Sequence, residues 1–293
     1  MNNSEFLLMD RIQKIQQIDK DFDLQNNAYI SFSGGKDSVV LSWIIDKALY
    51  NNKIPRVYCN TGIELNEIVK FVKEQQKKDC RIKIISSGVN IRQMLDEKGY
   101  PFKSKEHSHK LHLLQQGSKA ESVLKYFRFI ENNDKNHICP KKLMYQSENN
   151  LSFKVSDECC NILKKKPLEK WSKENNREIA ILGIRQAEGG QRANVKNCLF
   201  YKKDKLKKFS PLLPCPNDFT EYVINEFKLD ICNLYKPPYN FDRTGCKGCP
   251  FSIDIQNELD TLEKYFPNER QQCEHIFGKV YDEYRLLNYR LRN

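Results

Sequence analysis

Short apolar runs alternate with longer amphipathic segments along the first hundred residues. The short runs have the length and composition of buried strands and lie at residues 27–32, 56–59 and 81–86. In the longer segments apolar residues recur every three or four positions, which predicts a helix after the first strand and further helices at residues 66–78 and 91–98. Strands that alternate with helices predict a parallel sheet joined by right-handed crossovers.

The pattern changes near residue 100. Residues 100–150 are polar with a helical pattern, and we expect them to form an inserted helical lid. Residues 178–183 restore a continuous apolar run, as expected for a fourth buried parallel strand. After Phe209, prolines interrupt short helical stretches, so this segment is expected to wrap the core and to end in a helix at residues 280–291.

These elements predict the fold class and the domains. We expect an α/β protein with a doubly wound, mostly parallel sheet, a helical insertion and a C-terminal wrapping segment. The α/β domain is predicted to span residues 1–208, with the insertion at about 100–150, and the C-terminal segment to span residues 209–293. Because ligands bind outside the carboxyl ends of parallel strands, functional residues are expected in the loops that follow the strands.

Composition and charge restrict the class of protein. The 293 residues are 39% hydrophobic and 30% charged, and no apolar run is long enough for a membrane span or an export signal. We therefore expect a cytoplasmic protein with no membrane partner. The net charge of +11 predicts attraction to phosphate or sulfate groups, without choosing between a nucleotide and a polynucleotide. Eleven cysteines in such a chain favour metal ligation or thiol chemistry over a disulfide scaffold.

A six-residue loop follows the first strand and leads into its helix. Two glycines allow a tight turn that exposes backbone N–H groups, and the N-terminus of the helix adds positive potential. Serine and lysine side chains supply further ligands for a phosphate. A turn that is merely capped by Ser33 is the alternative without a ligand. The loop that we predict to hold phosphates consists of Ser33, Gly34, Gly35, Lys36, Asp37 and Ser38.

The S-G-G-K-D-S loop resembles the pyrophosphate loop of the adenine nucleotide alpha hydrolase superfamily, which includes ATP pyrophosphatases, tRNA thiolation enzymes and phosphoadenosine phosphosulfate reductases. Two more segments are similar to the reductase family: C-N-T-G-I-E at residues 59–64, where Asn60 replaces the usual aspartate, and G-I-R-x-x-E-x-x-x-R at residues 183–192. The resemblance implies the fold of this superfamily and a bound adenine nucleotide or sulfonucleotide, with or without Mg²⁺. Beyond the loop, the residues to which it assigns nucleotide binding are Thr61, Gly62, Glu64, Gly183 and Arg185.

Two arginines follow the fourth strand and suit an anionic substrate. Gly183 lies at the carboxyl end of the strand, and Arg185 and Arg192 can hold a phosphate or sulfate group by charge-assisted hydrogen bonds. Together with Lys36, these two arginines are our candidates for catalytic residues. An exposed loop whose arginines pair with acidic neighbours is the alternative.

Two cysteine pairs are far apart in the sequence. Cys159 and Cys160 are adjacent, whereas Cys246 and Cys249 are spaced as C-x-x-C among glycines. Four thiolates can hold one tetrahedral metal ion or one cubane cluster. A 4Fe-4S cluster, a zinc ion and unliganded thiols are therefore the three alternatives.

The first pair resembles the Cys-Cys-x-x-Arg-Lys-x-x-Pro-Leu signature of cluster-containing adenylylsulfate reductases, which here reads C-C-x-x-x-K-K-x-P-L from residue 159. That family holds a 4Fe-4S cluster with such a pair. The resemblance implies an iron–sulfur enzyme that acts either as an oxidoreductase on a sulfonucleotide or as an ATP-binding transferase that adenylylates an acceptor and inserts sulfur. It also implies a thiol or electron-donor protein as a partner.

The C-terminal region departs from the reductase pattern. Reductases of the family carry a mobile C-terminal Glu-Cys-Gly-hydrophobic-His thiol, whereas this chain has C-E-H at residues 273–275, ahead of the predicted terminal helix. A cysteine in a helix is less able to swing towards a substrate. The departure weighs against sulfonucleotide reduction, and it leaves two alternatives, that Cys273 replaces the mobile thiol or that the thiol is absent.

A second function class is a nucleic-acid-directed module that binds or modifies tRNA or DNA and uses a cluster or zinc as a structural element. Residues 191–208 carry a net charge of +6, and such a run can approach a nucleic-acid backbone. A solvated basic face explains the same charge equally well.

The isolated cysteines and three closely spaced histidines are expected to be structural. An isolated cysteine is most often a small buried side chain. Separations of two and three residues do not put all three histidines on one helical face, and no nearby cysteine completes a set of metal ligands. We therefore expect buried thiols and a solvated histidine helix. These residues are Cys80, Cys139, Cys198, Cys215, Cys232, His107, His109 and His112.

Overall fold

The computed structural model of the chain describes residues 2–132, 134, 137–148 and 151–292. Its first four strands match the predicted runs to within one residue at each end. In chain order the elements are α1 (Asn3–Phe22), α2 (Leu24–Asn27), β1 (Ala28–Ser31), α3 (Lys36–Ala48), β2 (Arg56–Asn60), α4 (Asn66–Lys78), β3 (Ile82–Ser86), α5 (Ile91–Lys98), α6 (Lys105–Gln115), α7 (Glu121–Tyr126), α8 (Lys166–Glu174), β4 (Ile179–Leu182), β5 (Leu199–Lys202), β6 (Lys205–Phe209), α9 (Asn217–Glu226), α10 (Ile255–Tyr265) and α11 (Pro267–Leu286). Shorter 3₁₀ segments lie at Lys141–Glu148, Gln186–Glu188, Gly190–Arg192 and Asn233–Tyr235, and a π-helical turn lies at Asn161–Lys165.

The chain divides into two units. The first, called the sheet unit below, comprises Met1–Asn60, Glu64–Ser87 and Lys166–Thr244. The second, called the cysteine unit, comprises Thr61–Ile63, Gly88–Lys165 and Gly245–Asn293. Each unit contains residues from both predicted segments, 1–208 and 209–293. The division of the chain into an α/β domain and a C-terminal segment stays a prediction.

The sheet unit contains, within the described residues, a six-stranded sheet in the order β3-β2-β1-β4-β6-β5. Neighbouring strands pair in parallel except β5 and β6, which form an antiparallel hairpin at one edge. This confirms the predicted doubly wound, mostly parallel α/β fold. The strand order reverses between β1 and β4, and in sheets of this type ligands bind at that switch point.

The N-terminal helix α1 is an element that the sequence analysis does not predict. It begins with a capping box, in which Asn2 and Glu5 exchange side-chain to backbone hydrogen bonds. Only Leu8, Ile15 and Ile18 of the helix are buried. Because so few positions face the core, the helical spacing of apolar residues is hard to recognise in the sequence. These side chains join the core beneath α3.

The basic run at residues 191–208 contains a β-hairpin, which the sequence interpretation omits. Strands β5 and β6 are joined by Lys203 and Asp204, both with positive φ (50° and 58°), as a two-residue hairpin turn requires. In β6 only Leu206 and Phe209 are buried. The other residues of β6 are lysines, which are accommodated because one side of the sheet edge faces solvent. The sequence of β6 therefore lacks the apolar run that predicts a buried strand.

The C-terminal helix differs from its predicted bounds of 280–291. Helix α11 begins at Pro267 and ends at Leu286. Proline is suited to the first helical position, where its missing N–H is not needed, so it starts this helix instead of interrupting one. None of the helices in the described part of the chain is both long and apolar enough to cross a membrane.

Helix α6 in the cysteine unit carries the three histidines. His107 is fully buried, with Nδ1 3.0 Å from the Tyr126 hydroxyl and Nε2 2.8 Å from Oε1 of Gln146. The prediction of a solvated helix is therefore wrong for His107, because both ring nitrogens have partners inside the core. His109 is exposed as predicted, and His112 is half-buried.

The burial of His107 predicts a pH-dependent stability. Burial lowers the pKa of His107 to about 4, whereas an unfolded histidine has a pKa of about 6.5. The unfolded chain therefore binds the extra proton first, so stability is full above about pH 6.5 and falls towards pH 4, by about 3 kcal/mol in all. Urea unfolding should show about 2 kcal/mol of this loss between about pH 7 and about pH 5, because the loss is complete only below about pH 4. His107→Gln should lack this part of the pH dependence, and an unchanged dependence in the variant would assign it to other groups.

Candidate functional site

The predicted phosphate loop lies between β1 and α3, at the switch point of the sheet. Helix α3 begins at Lys36, and its N-cap residue, Gly35, makes no side-chain capping hydrogen bond. The Ser38 hydroxyl accepts the Ser33 N–H (3.3 Å) and donates to the Gly35 carbonyl (2.8 Å), which fixes the shape of the loop. The Gly35 N–H donates to the Ser33 hydroxyl (3.3 Å), as in the capped-turn alternative, while the positive potential at the N-terminus of α3 favours a bound anion.

Close packing requires glycine at two positions of this site. Gly34 has a φ of 73°, and a Cβ there would lie 2.7 Å from Cγ2 of Val72 in α4. Gly183 follows β4, and a Cβ there would lie 3.1 Å from the carbonyl oxygen of Asp37. A side chain at either position would push the loop out of place. The predicted loop and the predicted segment after β4 therefore meet in the sheet unit.

Tyr235 and Thr244 lie against the loop and are not predicted from the sequence. Their hydroxyls hydrogen bond to each other, and the backbone N–H of Lys36 donates to the Tyr235 hydroxyl. The Lys36 ammonium lies 5.8 Å from the centroid of the tyrosine ring. Burial raises the pKa of Tyr235, so the group is a neutral hydroxyl that caps α3. No sequence signal marks Tyr235, whereas Thr244 lies two residues before the C-x-x-C segment.

Arg185 is buried and is held by several partners within the sheet unit. Its Nε donates to Oδ1 of Asp37 (2.7 Å), and its Nη1 donates to Oδ1 of Asn217 (2.7 Å). The Thr220 hydroxyl donates to the same oxygen of Asp37 (3.0 Å). Asp37 is thereby fixed in the first turn of α3, where a negative charge is favourable. Arg185 thus positions the loop, and its direct contact with a nucleotide stays a prediction.

Arg192 pairs with Glu188 and has two further arginines nearby. The pKa of Arg192 is lowered to about 10, mainly by burial. Repulsion from Arg243 and Arg185 acts in the same direction, whereas the carboxylate of Asp37 acts in the opposite direction. A bound anion would relieve this repulsion. Arg243 is therefore a further candidate for this site, which the sequence analysis does not assign.

The predicted residues after β2 are divided between the two units. Glu64 belongs to the sheet unit, whereas Thr61 and Gly62 belong to the cysteine unit. Both Thr61 and Glu64 are buried. Gly62 has a φ of 83°, and a Cβ there would lie 3.2 Å from Cδ1 of Ile91. Nucleotide binding by these residues stays a prediction.

The two predicted cysteine pairs meet within the cysteine unit. Cys159, Cys160, Cys246 and Cys249 line one small cavity of about 20 Å³. The charges of the other three sulfurs all influence the Cys159 thiol. Lys164 also borders the cavity. The apolar side chains that line the cavity are Ile63, Ile91, Leu95, Pro101, Leu163 and Phe277.

The surroundings of the cavity favour a thiolate at Cys160. Cys159 donates a hydrogen bond to Cys160, which raises the pKa of Cys159 and lowers the pKa of Cys160. The ammonium groups of Lys105, Lys164 and Lys165 lower the pKa of Cys160 further. Since the thiolate is the form that binds metals, this part of the cysteine unit is prepared for ligation.

The loop that carries the second cysteine pair is anchored to α10 and α11. The Gly248 N–H donates to Oε1 of Glu258 (2.9 Å), and the Tyr281 hydroxyl donates to the Gly248 carbonyl. The backbone N–H of Phe251 donates to the sulfur of Cys249. Such hydrogen bonds orient metal ligands and stabilise charge on sulfur.

The donor set of this cavity fits an iron–sulfur cluster. Four soft thiol groups on one apolar cavity match the four-cysteine ligation of a cubane cluster. Within residues 2–132, 134, 137–148 and 151–292, no three His, Cys, Asp or Glu side chains lie close enough together to hold a single metal ion. The fit therefore rests on the type and number of donors.

Cys273 is fully buried within α11. A Cβ on Gly248 would lie 2.7 Å from its sulfur, and burial raises its pKa to about 12. A packed, protonated thiol is a poor nucleophile. Its position within α11 agrees with the expectation of a helical cysteine that is less able to move.

The isolated cysteines follow the prediction of burial with two exceptions. Cys139, Cys215 and Cys232 are buried, as expected. Cys198 is half-buried beside β5, and Cys80 is exposed between α4 and β3. The prediction is wrong for Cys80, because the turn that carries it projects into solvent.

Residues 27–138 and 128–251 match the phosphoadenosine phosphosulfate reductase domain. The matched ranges contain the phosphate loop, residues 183–192 and both cysteine pairs. The chain belongs to this family. Its membership confirms the resemblance drawn from the motifs.

One relative is similar to this chain over most of the chain's length. The uncharacterized protein MJ0066 of Methanocaldococcus jannaschii is 25% identical over 270 residues, which cover 88% of this chain and 42% of that protein. The chain thus spans less than half the length of this relative.

Two solved structures are also similar to the chain. A phosphoadenylyl-sulfate (PAPS) reductase from Candida auris, solved as a phosphate complex, has 13% identity, a TM-score of 0.42, and coverage of 79% of this chain and 87% of its own. The U34-tRNA thiolase NcsA from Methanococcus maripaludis, solved with its [4Fe-4S] cluster, has 16% identity, a TM-score of 0.39, and coverage of 97% and 80%.

Proposed function

We propose that this chain is an iron–sulfur enzyme that binds an adenine nucleotide at residues 33–38 and uses it in sulfur chemistry. The observation that carries the proposal is the convergence of four cysteines from two distant segments on one cavity. Cys159, Cys160, Cys246 and Cys249 would hold a 4Fe-4S cluster, since adjacent cysteines are an unusual spacing for zinc. When bound, the cluster would supply redox or sulfur-binding chemistry.

Adenylylation followed by sulfur transfer is the reaction that we favour. An oxygen of the acceptor attacks the α-phosphorus of ATP, and pyrophosphate leaves. A sulfur nucleophile then displaces AMP from the activated acceptor. Lys36 and the loop amides would stabilise the negative charge of the phosphates, and Arg192 with Arg243 would hold the remaining anionic oxygens.

Sulfonucleotide reduction is the second candidate and is supported by the family itself. In that reaction a thiolate attacks the sulfur of the sulfonucleotide, the nucleotide leaves, and a second thiol releases sulfite as a disulfide forms. The burial of Cys273 weighs against this reaction, because the attacking thiol must reach the substrate.

Nucleotide choice separates the two reactions. We expect the anaerobically purified chain to bind ATP more tightly than adenylylsulfate in calorimetry, and to release no sulfite from adenylylsulfate in the presence of thioredoxin. Sulfite release at a normal enzymatic rate, above about 1 per second, would establish reduction instead. Binding of neither nucleotide would contradict the proposed function.

A further inference from the structure

The hairpin of β5 and β6 presents a basic surface that the proposed nucleotide site does not use. Residues 199–209 contain five lysines and one aspartate. Lys207 pairs with Glu178, which lies just before β4. The exposed lysines are Lys202, Lys203, Lys205 and Lys208.

Two of these lysines face each other across the hairpin. Lys202 and Lys205 are direct cross-strand partners, next to the turn that contains Asp204. Like charges directly opposite each other destabilise a hairpin. A ligand that supplies negative charge along both strands would turn this repulsion into attraction.

Aromatic rings lie among the lysines on the edge strand. The side chains of Phe200 and Tyr201 are 51% and 46% exposed. The Lys208 ammonium lies 5.1 Å from the centroid of the Phe200 ring, and Tyr201 contacts Phe22 of α1 at 6.2 Å between centroids. Lysines alone would protect an edge strand from pairing with another chain, whereas exposed aromatic rings work against that protection. The rings therefore point to binding.

We propose that this hairpin surface, formed by Phe200, Tyr201, Lys202, Lys203, Lys205 and Lys208, binds single-stranded nucleic acid. Exposed bases stack on aromatic rings, and phosphates contact neighbouring ammonium groups. A duplex keeps its bases stacked inside and leaves the rings unused. Anionic lipids or acidic proteins would satisfy the lysines without requiring flat stacking partners. The surface goes beyond the proposed function, because binding there requires no nucleotide turnover.

Fluorescence anisotropy of a labelled single strand of about 16 nucleotides, measured with the full chain, tests the proposal. The measurement is made with single-stranded RNA, with single-stranded DNA and with a duplex. Phe200→Ala should weaken single-strand binding about tenfold and leave duplex binding nearly unchanged. Phe200→Tyr retains a ring and should bind like wild type. The double variant K202Q/K205Q should reduce the slope of log affinity against log salt by about 1.4.

A matched control removes two exposed lysines elsewhere in the sheet unit. Lys70 and Lys73 lie on α4, and K70Q/K73Q should leave the affinity and the salt slope close to wild type. Equal binding by wild type, Phe200→Ala and K202Q/K205Q would overturn the proposal, and so would binding only to phosphatidylserine vesicles. ATP calorimetry on the same variants distinguishes the two proposals, because the hairpin variants should bind ATP as wild type does.

Discussion

Cys249→Ser protein isolated without oxygen is expected to lose its iron. Wild type should contain about four iron atoms per chain if one cubane cluster is bound. Serine is nearly the same size as cysteine but replaces a soft thiolate with a hard, weakly acidic hydroxyl. The cavity then retains three of its four thiols, and we expect iron below about one per chain. Iron analysis and the visible absorbance of the cluster both measure the loss.

Cys198→Ser is the matched control for this experiment. Cys198 is a half-buried isolated thiol in the sheet unit and does not line the four-cysteine cavity. This variant should retain the iron content of wild type. Full iron in Cys249→Ser, or equal loss in both variants, would show that the four-cysteine cavity does not hold the cluster.

Lys36→Ala is expected to weaken ATP binding by roughly 10- to 100-fold. Hydrogen bonds to charged groups contribute about 1.5–3 kcal/mol, and a phosphate on the loop would lose one such partner. The positive potential at the N-terminus of α3 remains, so binding should be weakened and not abolished. Calorimetry at fixed ionic strength measures the change, because screening by salt reduces the contribution of an exposed charge.

Lys47→Ala is the control for the charge that is removed. Lys47 lies in the last turn of α3, at the opposite end of the helix from the loop, with its ammonium 5.3 Å from the centroid of the Trp43 ring. Its removal changes the net charge equally and should leave ATP affinity unchanged. Equal affinity of Lys36→Ala and wild type would refute the anion-binding loop.

The strand, loop and helix around residues 28–48 could be predicted because their signals are local. A buried strand, two glycines and an amphipathic helix follow one another without interruption. The contacts that complete the site are not local. Tyr235 reaches the loop from a segment that carries no motif of its own, whereas Arg243 precedes the C-x-x-C segment and acts on Arg192. Only the folded sheet unit shows that Arg185 is paired with Asp37.

The sequence predictions were wrong where only one side of an element is buried, or where one residue type is compatible with two kinds of structure. The lysines of β6 hide a strand that buries only Leu206 and Phe209 on the core side. Pro267 starts a helix although proline usually interrupts one. His107 is polar in the sequence, but its two hydrogen-bond partners allow it to be buried. In each case tertiary packing decides what the local pattern leaves ambiguous.

The cysteine pairs show how chemistry can predict what periodicity cannot. No hydrophobic pattern links residues 159–160 with residues 246–249. The number and softness of the thiols, together with the resemblance to cluster-containing reductases, indicate a shared centre, and the structure brings the four sulfurs to one cavity.

Mössbauer spectroscopy of iron-57-labelled wild-type chain, combined with acid-labile sulfide analysis, tests the iron–sulfur centre most directly. The expected result is the spectrum of a 4Fe-4S cluster, with about four iron and about four sulfide per chain. Colourless protein that contains one zinc and no labile sulfide after anaerobic isolation would contradict it.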